Sequence, residues 1–330
     1  MNEGAVVWIT GAAGLVGSHL IEALHQHVPP HRLIGTWHRP TVDLDDILPL
    51  CTAEPLDVTD GEAVAASLNR HRPEVIYHLA AQSYPTVSWE QPVETMNVNI
   101  NGTVHVFEAI RRIRQADRSY DPMVVVACSS AEYGASLTPE HVPVREDAPL
   151  LPLHPYGVSK VGQDLLAFQY WKNFGIRCVR VRIFNTTGPR KKNDVVSDFV
   201  QRAFAISRGE QEVFRVGNLS TRRAITDVRD LVAALISLAQ KGEPGEVYNV
   251  SGDRVYLIAD LIPLVERAAG VKLNVVEDPA LRRPSDEPVI VGDSSKLKAC
   301  TGWQQHFTLE QTIQDMFAYL QKKAAIHMLR

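Results

Sequence analysis

The chain has 330 residues, with 34 Lys and Arg against 38 Asp and Glu, a formal net charge of -4, and 45% hydrophobic and 22% charged residues. This is enough for one large or two closely joined domains around a sizeable core. The near-neutral balance excludes a basic nucleic-acid or membrane-surface binder. Cys51, Cys128, Cys178 and Cys300 are scattered, with neither metal-ligand spacing nor a disulfide framework. The first four residues lack a basic leader, and no apolar run approaches the ~18 residues of a membrane span. The expectation is a soluble, cytoplasmic protein without a metal.

Residues 5–10 (AVVWIT) predict a first strand, followed by Gly11, Gly14 and Gly17 and then a helix over 18–27. Strand, glycine turn and helix bring backbone N–H groups onto a pyrophosphate, so Gly11, Gly14, Leu15, Val16 and Gly17 are candidate cofactor contacts. The G-x-x-G-x-x-G spacing is one residue longer than the common dinucleotide fingerprint, and a glycine turn without a ligand is the alternative. A second strand (32–36) ends at Trp37-His38-Arg39 with no carboxylate before Asp43. NAD-selective sites place an acid there for the ribose 2′-OH. Thr36, His38 and Arg39 instead suit a 2′-phosphate, although a solvated loop arginine also fits. NADP(H) is therefore the expected cofactor, with NAD(H) second.

A third short strand ends in 56–60 (LDVTD), and Thr59 or Asp60 caps a helix over 61–71. A fourth strand (74–79) runs into Ala80-Ala81-Gln82-Ser83, small residues that would let a cofactor approach. Residues 91–113 predict one long helix carrying Asn97, Asn99 and Asn101, at least one facing a polar cleft. A fifth strand (123–127, MVVVA) has the all-apolar character of a parallel sheet covered on both faces, and Cys128-Ser129-Ser130-Ala131-Glu132-Tyr133-Gly134 follows directly.

Pro155 opens the next helix, which places Tyr156 and Lys160 four apart on one face. Leu165, Leu166, Phe168 and Trp171 are expected on its buried side. A neighbouring cation favours the phenolate, so Tyr156 is expected to exchange a proton near neutral pH. Taken alone, the pair equally fits a surface Tyr–Lys contact.

Alternating strands and helices predict a doubly wound α/β sheet, whose ligand lies beyond the carboxyl ends of the strands. Gly11, Ala80 to Ser83 and Ser129 all sit there, so Tyr156 and Lys160 on the next helix would reach the same crevice. A sixth strand (176–184) ends at Asn185-Thr186-Thr187-Gly188-Pro189, and a basic loop (190–194) precedes a helix over 196–207. Short strands (213–216, 246–250, 273–276, 289–291) and helices (227–240, 257–269 and two closing ones) complete the chain. The expected division is a Rossmann domain of 1–185 plus 225–250 and a smaller α/β substrate domain of 186–224 plus 251–330. The latter would bring arginines, suited to a diphosphate, toward the crevice. His25, His27 and His31 lack carboxylate or cysteine partners and read as surface.

The glycine turn, Asp57 in LDVTD, LAAQS, Asn99 in NINGT, SSAEYG, YGVSK and RIFNTTGP occur in the order of the extended short-chain dehydrogenase/reductase family, which the chain resembles over nearly its whole length. Residues 79–89, 216–230 and 283–298 most resemble the branch acting on GDP-mannose derivatives, comprising 4,6-dehydratases and 4-keto-6-deoxy-mannose 4-reductases. The resemblance implies a Ser129–Tyr156–Lys160 triad at a nicotinamide, and Asp57 and Val58 at the adenine. It places Leu79, Ala80 and Ala81 along the cofactor and has Asn99 order a water behind Lys160. Ser83, Ser130, Asn185, Asn218, Arg223, Arg283 and Asp286 fall at substrate positions.

Dehydratases of the branch carry a glutamate where this chain has Ala131, as in S-T-S-E-L-Y-G, and a methyl cannot transfer a proton. The implied activity is therefore NAD(P)H-dependent reduction of a nucleotide-linked 4-ketohexose, GDP-4-keto-6-deoxy-mannose first, in a homodimer or larger homo-oligomer. A dehydratase using Glu132, an epimerase and a non-catalytic nucleotide-sugar sensor are the alternatives.

Overall fold

The computed structural model describes residues 4–281 and 287–328. Seven parallel strands form the central sheet. They are β1 (Val7–Thr10), β2 (Leu33–Trp37), β3 (Thr52–Pro55), β4 (Val75–His78), β5 (Met123–Ser129), β6 (Cys178–Ile183) and a last strand, Val247–Val250. The spatial order is Val247–Val250, β6, β5, β4, β1, β2, β3. Val7 pairs with Leu33 on one side and Val75 on the other. The chain therefore reverses its direction of build-out between β1 and β4, the position where doubly wound sheets hold a ligand. The sheet is the expected Rossmann architecture.

Helices cover both faces because both faces of β1, β4 and β5 are apolar and buried. Leu20, Ile21 and Leu24 of α1 (Leu15–His25) and Leu231, Leu235 and Leu238 of α8 (Val228–Lys241) pack on one face. The other is covered by α2 (Gly61–His71), α5 (Gly102–Ala116) and α6 (Pro155–Phe174), through Val64, Leu68, Phe107, Ile110, Ala167 and Tyr170. A separate apolar core joins α7 (Val195–Ser207), α9 (Leu261–Ala269) and α11 (Leu309–Met328) around Phe199, Phe214, Leu261, Ile313 and Phe317. It lies beyond the carboxyl end of the sheet's chain path and supplies the far wall of the crevice.

Two elements depart from expectation. The helix expected over 91–113 is broken into Pro92–Met96, a π-turn at Asn97–Asn101, and α5. The π-turn turns Asn99 fully inward, where its amide donates to the Gln82 carbonyl and Ser159 Oγ and accepts from Gln82 N. Asn97 and Asn101 bond to each other at 2.8 Å. None of the three asparagines lines the crevice. In α6 the expected burial holds for Leu166 and Trp171, which pack against the sheet core, but not for the other two. Leu165 is 51% exposed and Phe168 38% exposed, whereas Ser159, Lys160, Gln163 and Asp164 are buried.

Candidate active site

One cavity of about 1040 Å³ runs from the glycine turn across the carboxyl ends of β1, β4, β5 and β6 to α7. Gly11 sits at φ +69°, and a Cβ there would stand 2.9 Å from the Ala80 backbone nitrogen. A Cβ on Gly17 would come within 2.3 Å of the Gly11 carbonyl oxygen. Only glycine lets the turn fold back on itself and keep its N–H groups open to a ligand. No side chain caps the N-terminus of α1, so its first-turn N–H groups and dipole are available to an anion. Thr10 Oγ1 accepts from Leu79 N and Ala80 N, which fixes the loop after β4 beside the turn. These features fit the diphosphate of a dinucleotide.

Gly14, Leu15, Val16, Ala81, Val58 and Ser83 line the same cavity, as do Ser130, Asn185, Asn218 and Arg223. Asp57 also lines it, accepting from Thr59 N and Oγ1 and standing 3.4 Å from His38 Nε2. Partial burial works to raise its pKa, but the Thr59 hydrogen bonds and the charges of His38 and Arg39 hold it below the ordinary range. Arg39 reaches the cavity rim 3.6 Å from Glu94, with its side chain 76% exposed. Arg283 and Asp286 lie outside the described residues.

Ser129 ends β5, and Tyr156 and Lys160 stand in the first two turns of α6; all three face the cavity. Pro155 opens α6, and His154 caps it by accepting from Gly157 N at 3.0 Å. The Ser129 hydroxyl is placed so as to favour the ionised form of the Tyr156 phenol. The acidified phenol expected from the Tyr–Lys pair is not found. Burial pushes Tyr156 up to about 12, against the downward pull of Ser129. Lys160 Nζ is instead turned to the Ala127 carbonyl at 2.8 Å and Gln163 Oε1 at 2.7 Å, and lies 5.8 Å from the Tyr156 ring centroid. Burial lowers Lys160 to about 8. The site thus holds a protonated phenol able to donate and a cation close to losing its proton.

Ala131 presents its side of the 3-10 turn Ser130–Glu132 to the cavity. Glu132 points the other way: it is fully buried, and its Oε1 accepts from Ser129 N at 2.8 Å. A route for Glu132 into the crevice is therefore absent among the described residues.

The model for a family described as GDP-mannose 4,6 dehydratase matches residues 8–316. The chain belongs to this family. It is an enzyme of the extended short-chain dehydrogenase/reductase type. A GDP-6-deoxy-D-mannose reductase from Pseudomonas aeruginosa is 29% identical over 93% of this chain and 94% of its own length. A GDP-mannose 4,6-dehydratase from Vibrio cholerae is 26% identical over 83% and 79%. Among solved structures, RMD from Pseudomonas aeruginosa complexed with NADPH superposes with a TM-score of 0.82 at 25% identity, covering 97% of this chain and all of that one.

Residue-type reasoning overlooked several groups. Arg190 and Arg202 line the cavity beside Arg223, and His154 stacks 5.9 Å from Tyr156. The basic loop after Pro189 was a signal for Arg190. Nothing in the spacing of Gln163 or His154 pointed to their partners.

Proposed function

We propose that the chain reduces the 4-keto group of a nucleotide-linked 4-keto-6-deoxyhexose, GDP-4-keto-6-deoxy-D-mannose first, to a GDP-6-deoxyhexose such as GDP-D-rhamnose. The observation that carries this reading is the cavity face of the turn after β5: a methyl, Ala131, faces the crevice, and the one acid of the turn is buried behind it. Abstraction of a C5 proton and loss of water need an acid and base at that spot. Reduction needs only a hydride source and a proton donor.

A nicotinamide bound in the crevice would supply the hydride to C4. Tyr156, protonated at neutral pH, gives its proton to the oxygen that becomes the C4 alcohol, so one hydride and one proton convert ketone to alcohol. Ser129 holds that oxygen in place through its hydroxyl, and Lys160 presents its remaining N–H toward the cofactor ribose. Arg39 reads a 2′-phosphate, which favours NADPH over NADH. Asn185, Asn218 and Arg223, with Arg283 and Asp286 from the stretch outside the described residues, hold the nucleotide sugar. The residues 1–185 plus 225–250 form the cofactor domain, and the third core belongs to the substrate domain. The exposed Val158, Leu165 and Phe168 on one side of α6 suit a homodimer contact.

Incubation with a panel of nucleotide 4-keto sugars and NADPH, followed by mass spectrometry, tests the reading. The expected outcome is a product two mass units heavier from the GDP-linked 4-keto-6-deoxy sugar, and none from GDP-mannose with catalytic NADP. Dehydration of GDP-mannose would overturn it.

A further inference from the structure

Beneath the catalytic turn lies a cluster of buried charge that no step above uses. Asp164 on α6 receives Arg180 Nη1 at 2.5 Å and Arg182 Nε at 2.9 Å, both from β6. Arg182 Nε also stands 3.2 Å from Glu132 Oε2, and Arg182 Nη1 donates to Tyr133 OH and the Glu146 carbonyl. Both carboxyl groups are fully buried. Cys128 on β5 has its sulfur within 4.8 Å of them. Two guanidinium groups already occupy Asp164, so the trio of Cys128, Glu132 and Asp164 is an ion-pair core rather than a cation cage.

Glu132 Oε1 accepts from Ser129 N, but Oε2 is sealed from solvent and accepts no aligned hydrogen bond. Glu132 and Asp164 nevertheless each place a carboxyl oxygen within 4.8 Å of the other, with Arg182 Nε reaching both. Two ionised carboxylates repel at that distance, whereas a proton on one removes the repulsion and supplies a donor to the other. Placed on Glu132 Oε2, that proton turns an atom orphaned as an acceptor into a donor facing Asp164. Asp164 keeps the charge because both arginines converge on it. Burial and the Asp164 charge favour this state, against Arg182 and the Ser129 N–H. Lys160 on α6 is the other cation facing the cluster, and the phenol of Tyr156 lies beyond Ser129.

We propose that Glu132 is a positioning residue for the reduction, acting as a neutral carboxylic acid that ties the Ser129 main chain to Asp164 on α6. The proposal rests on the Ser129–Tyr156 reading of the site. Asp164 shares α6 with Tyr156 and Lys160, so the bridge fixes how the end of β5 meets that helix. Ser129 Oγ accepts from Ala131 N at 3.2 Å, so closing the turn also sets the direction of the hydroxyl that meets the phenol. Displacing a catalytic group by about 1 Å can lower the rate by roughly 100-fold.

The test compares Glu132→Gln with Glu132→Leu. A glutamine can accept from Ser129 N and donate to Asp164, so E132Q is expected to keep kcat within about threefold of wild type. The leucine should lower kcat by roughly 30- to 100-fold, with sugar KM and NADPH Kd nearly unchanged. The infrared difference spectrum of wild type minus E132Q at neutral pH should contain a carboxylic-acid C=O band that shifts in D2O. A carboxylate band instead, an E132Q as impaired as E132L, or an E132L of wild-type kcat would each overturn the proposal. If E132L does not fold, Glu132→Asp, one methylene too short, takes its place with the same expected split. A wild type that reduces no member of the sugar panel refutes the proposed function. The infrared band, with hydrogen exchange at the Ser129 amide protected in E132Q and lost in E132L or E132D, then decides the Glu132 assignment independently.

Discussion

Lys160→Met is the substitution whose effects the structure defines in most detail. The ammonium is 3% exposed and held by the Ala127 carbonyl and Gln163 Oε1. Burial lowers its pKa from 10.5 to about 8. A single group titrating near 8 is about half protonated at pH 8 and about one-eleventh protonated at pH 9. If the cation grips the cofactor, kcat/KM for NADPH, which reports the free enzyme, should fall about tenfold per pH unit above that point. Tyr156, pushed up to about 12, adds no fall in this window. The unfolded chain keeps the lysine proton to about pH 10.4, so between about 8 and 10.4 it binds more protons than the native state. Stability relative to Lys160→Met should therefore rise with pH through that window. At about 1.4 kcal/mol per pH unit, the displacement amounts to about 3 kcal/mol at most. The assay is kcat/KM from about pH 6 to 10.5, paired with denaturant unfolding of both proteins. An alkaline limb that survives unchanged in Lys160→Met, or a flat wild-type profile to pH 10, would refute the reasoning.

Tyr156→Phe removes the phenol beside Ser129 and should lower kcat by roughly 10²- to 10⁴-fold while NADPH still binds, as fluorescence titration would report; a loss under about threefold removes Tyr156 from the mechanism. Arg39→Ala should reduce the NADPH-to-NADH ratio of kcat/KM by about three- to tenfold, since a side chain 76% exposed and shared with Glu94 forms a screened pair. An unchanged ratio would mean that the 2′ position is not read by Arg39. Gly17→Ala places a methyl 2.3 Å from the Gly11 oxygen. Instead of the ~1 kcal/mol gain usual for Gly→Ala within a helix, it should lower stability and weaken NADPH binding at least tenfold in a fluorescence titration.

Much of the framework was legible because its signals are local. Apolar runs such as 123–127 mark buried parallel strands, and the helix over 61–71 is bounded as its Asp60 cap dictates. The glycine turn was legible because only glycine fits at Gly11 and Gly17. What the sequence hid depends on partners far along the chain. Asn99 reads as one of three asparagines of which at least one faces a polar cleft, until Gln82 and Ser159 take its side-chain amide, and the π-turn that brings it inward has no periodic signature. The Tyr156–Lys160 spacing placed both groups at the crevice but gave the wrong direction for the phenol. Spacing does not disclose that Gln163 and the Ala127 carbonyl take the ammonium. Nor could it show that Glu132 faces Arg182.

The burial of polar side chains on α6 follows from the same fact. An amphipathic helix normally turns its apolar side to the core, because burying a charge without partners costs far more than exposing a leucine. Here the inward side combines the apolar Ala167 and Tyr170 with Ser159, Lys160, Gln163 and Asp164, and each of these four has a partner: Asn99, the Ala127 carbonyl, Lys160, and the paired arginines of β6. Apart from Lys160, which meets Gln163 within α6, those partners come from three other elements, so no window along α6 could reveal which of its polar side chains are buried. The arrangement places a buried cation at the crevice with its pKa lowered to about 8, which an exposed Tyr–Lys pair would not do. The exposed apolar stripe on the opposite side follows from committing the inward face to the chemistry.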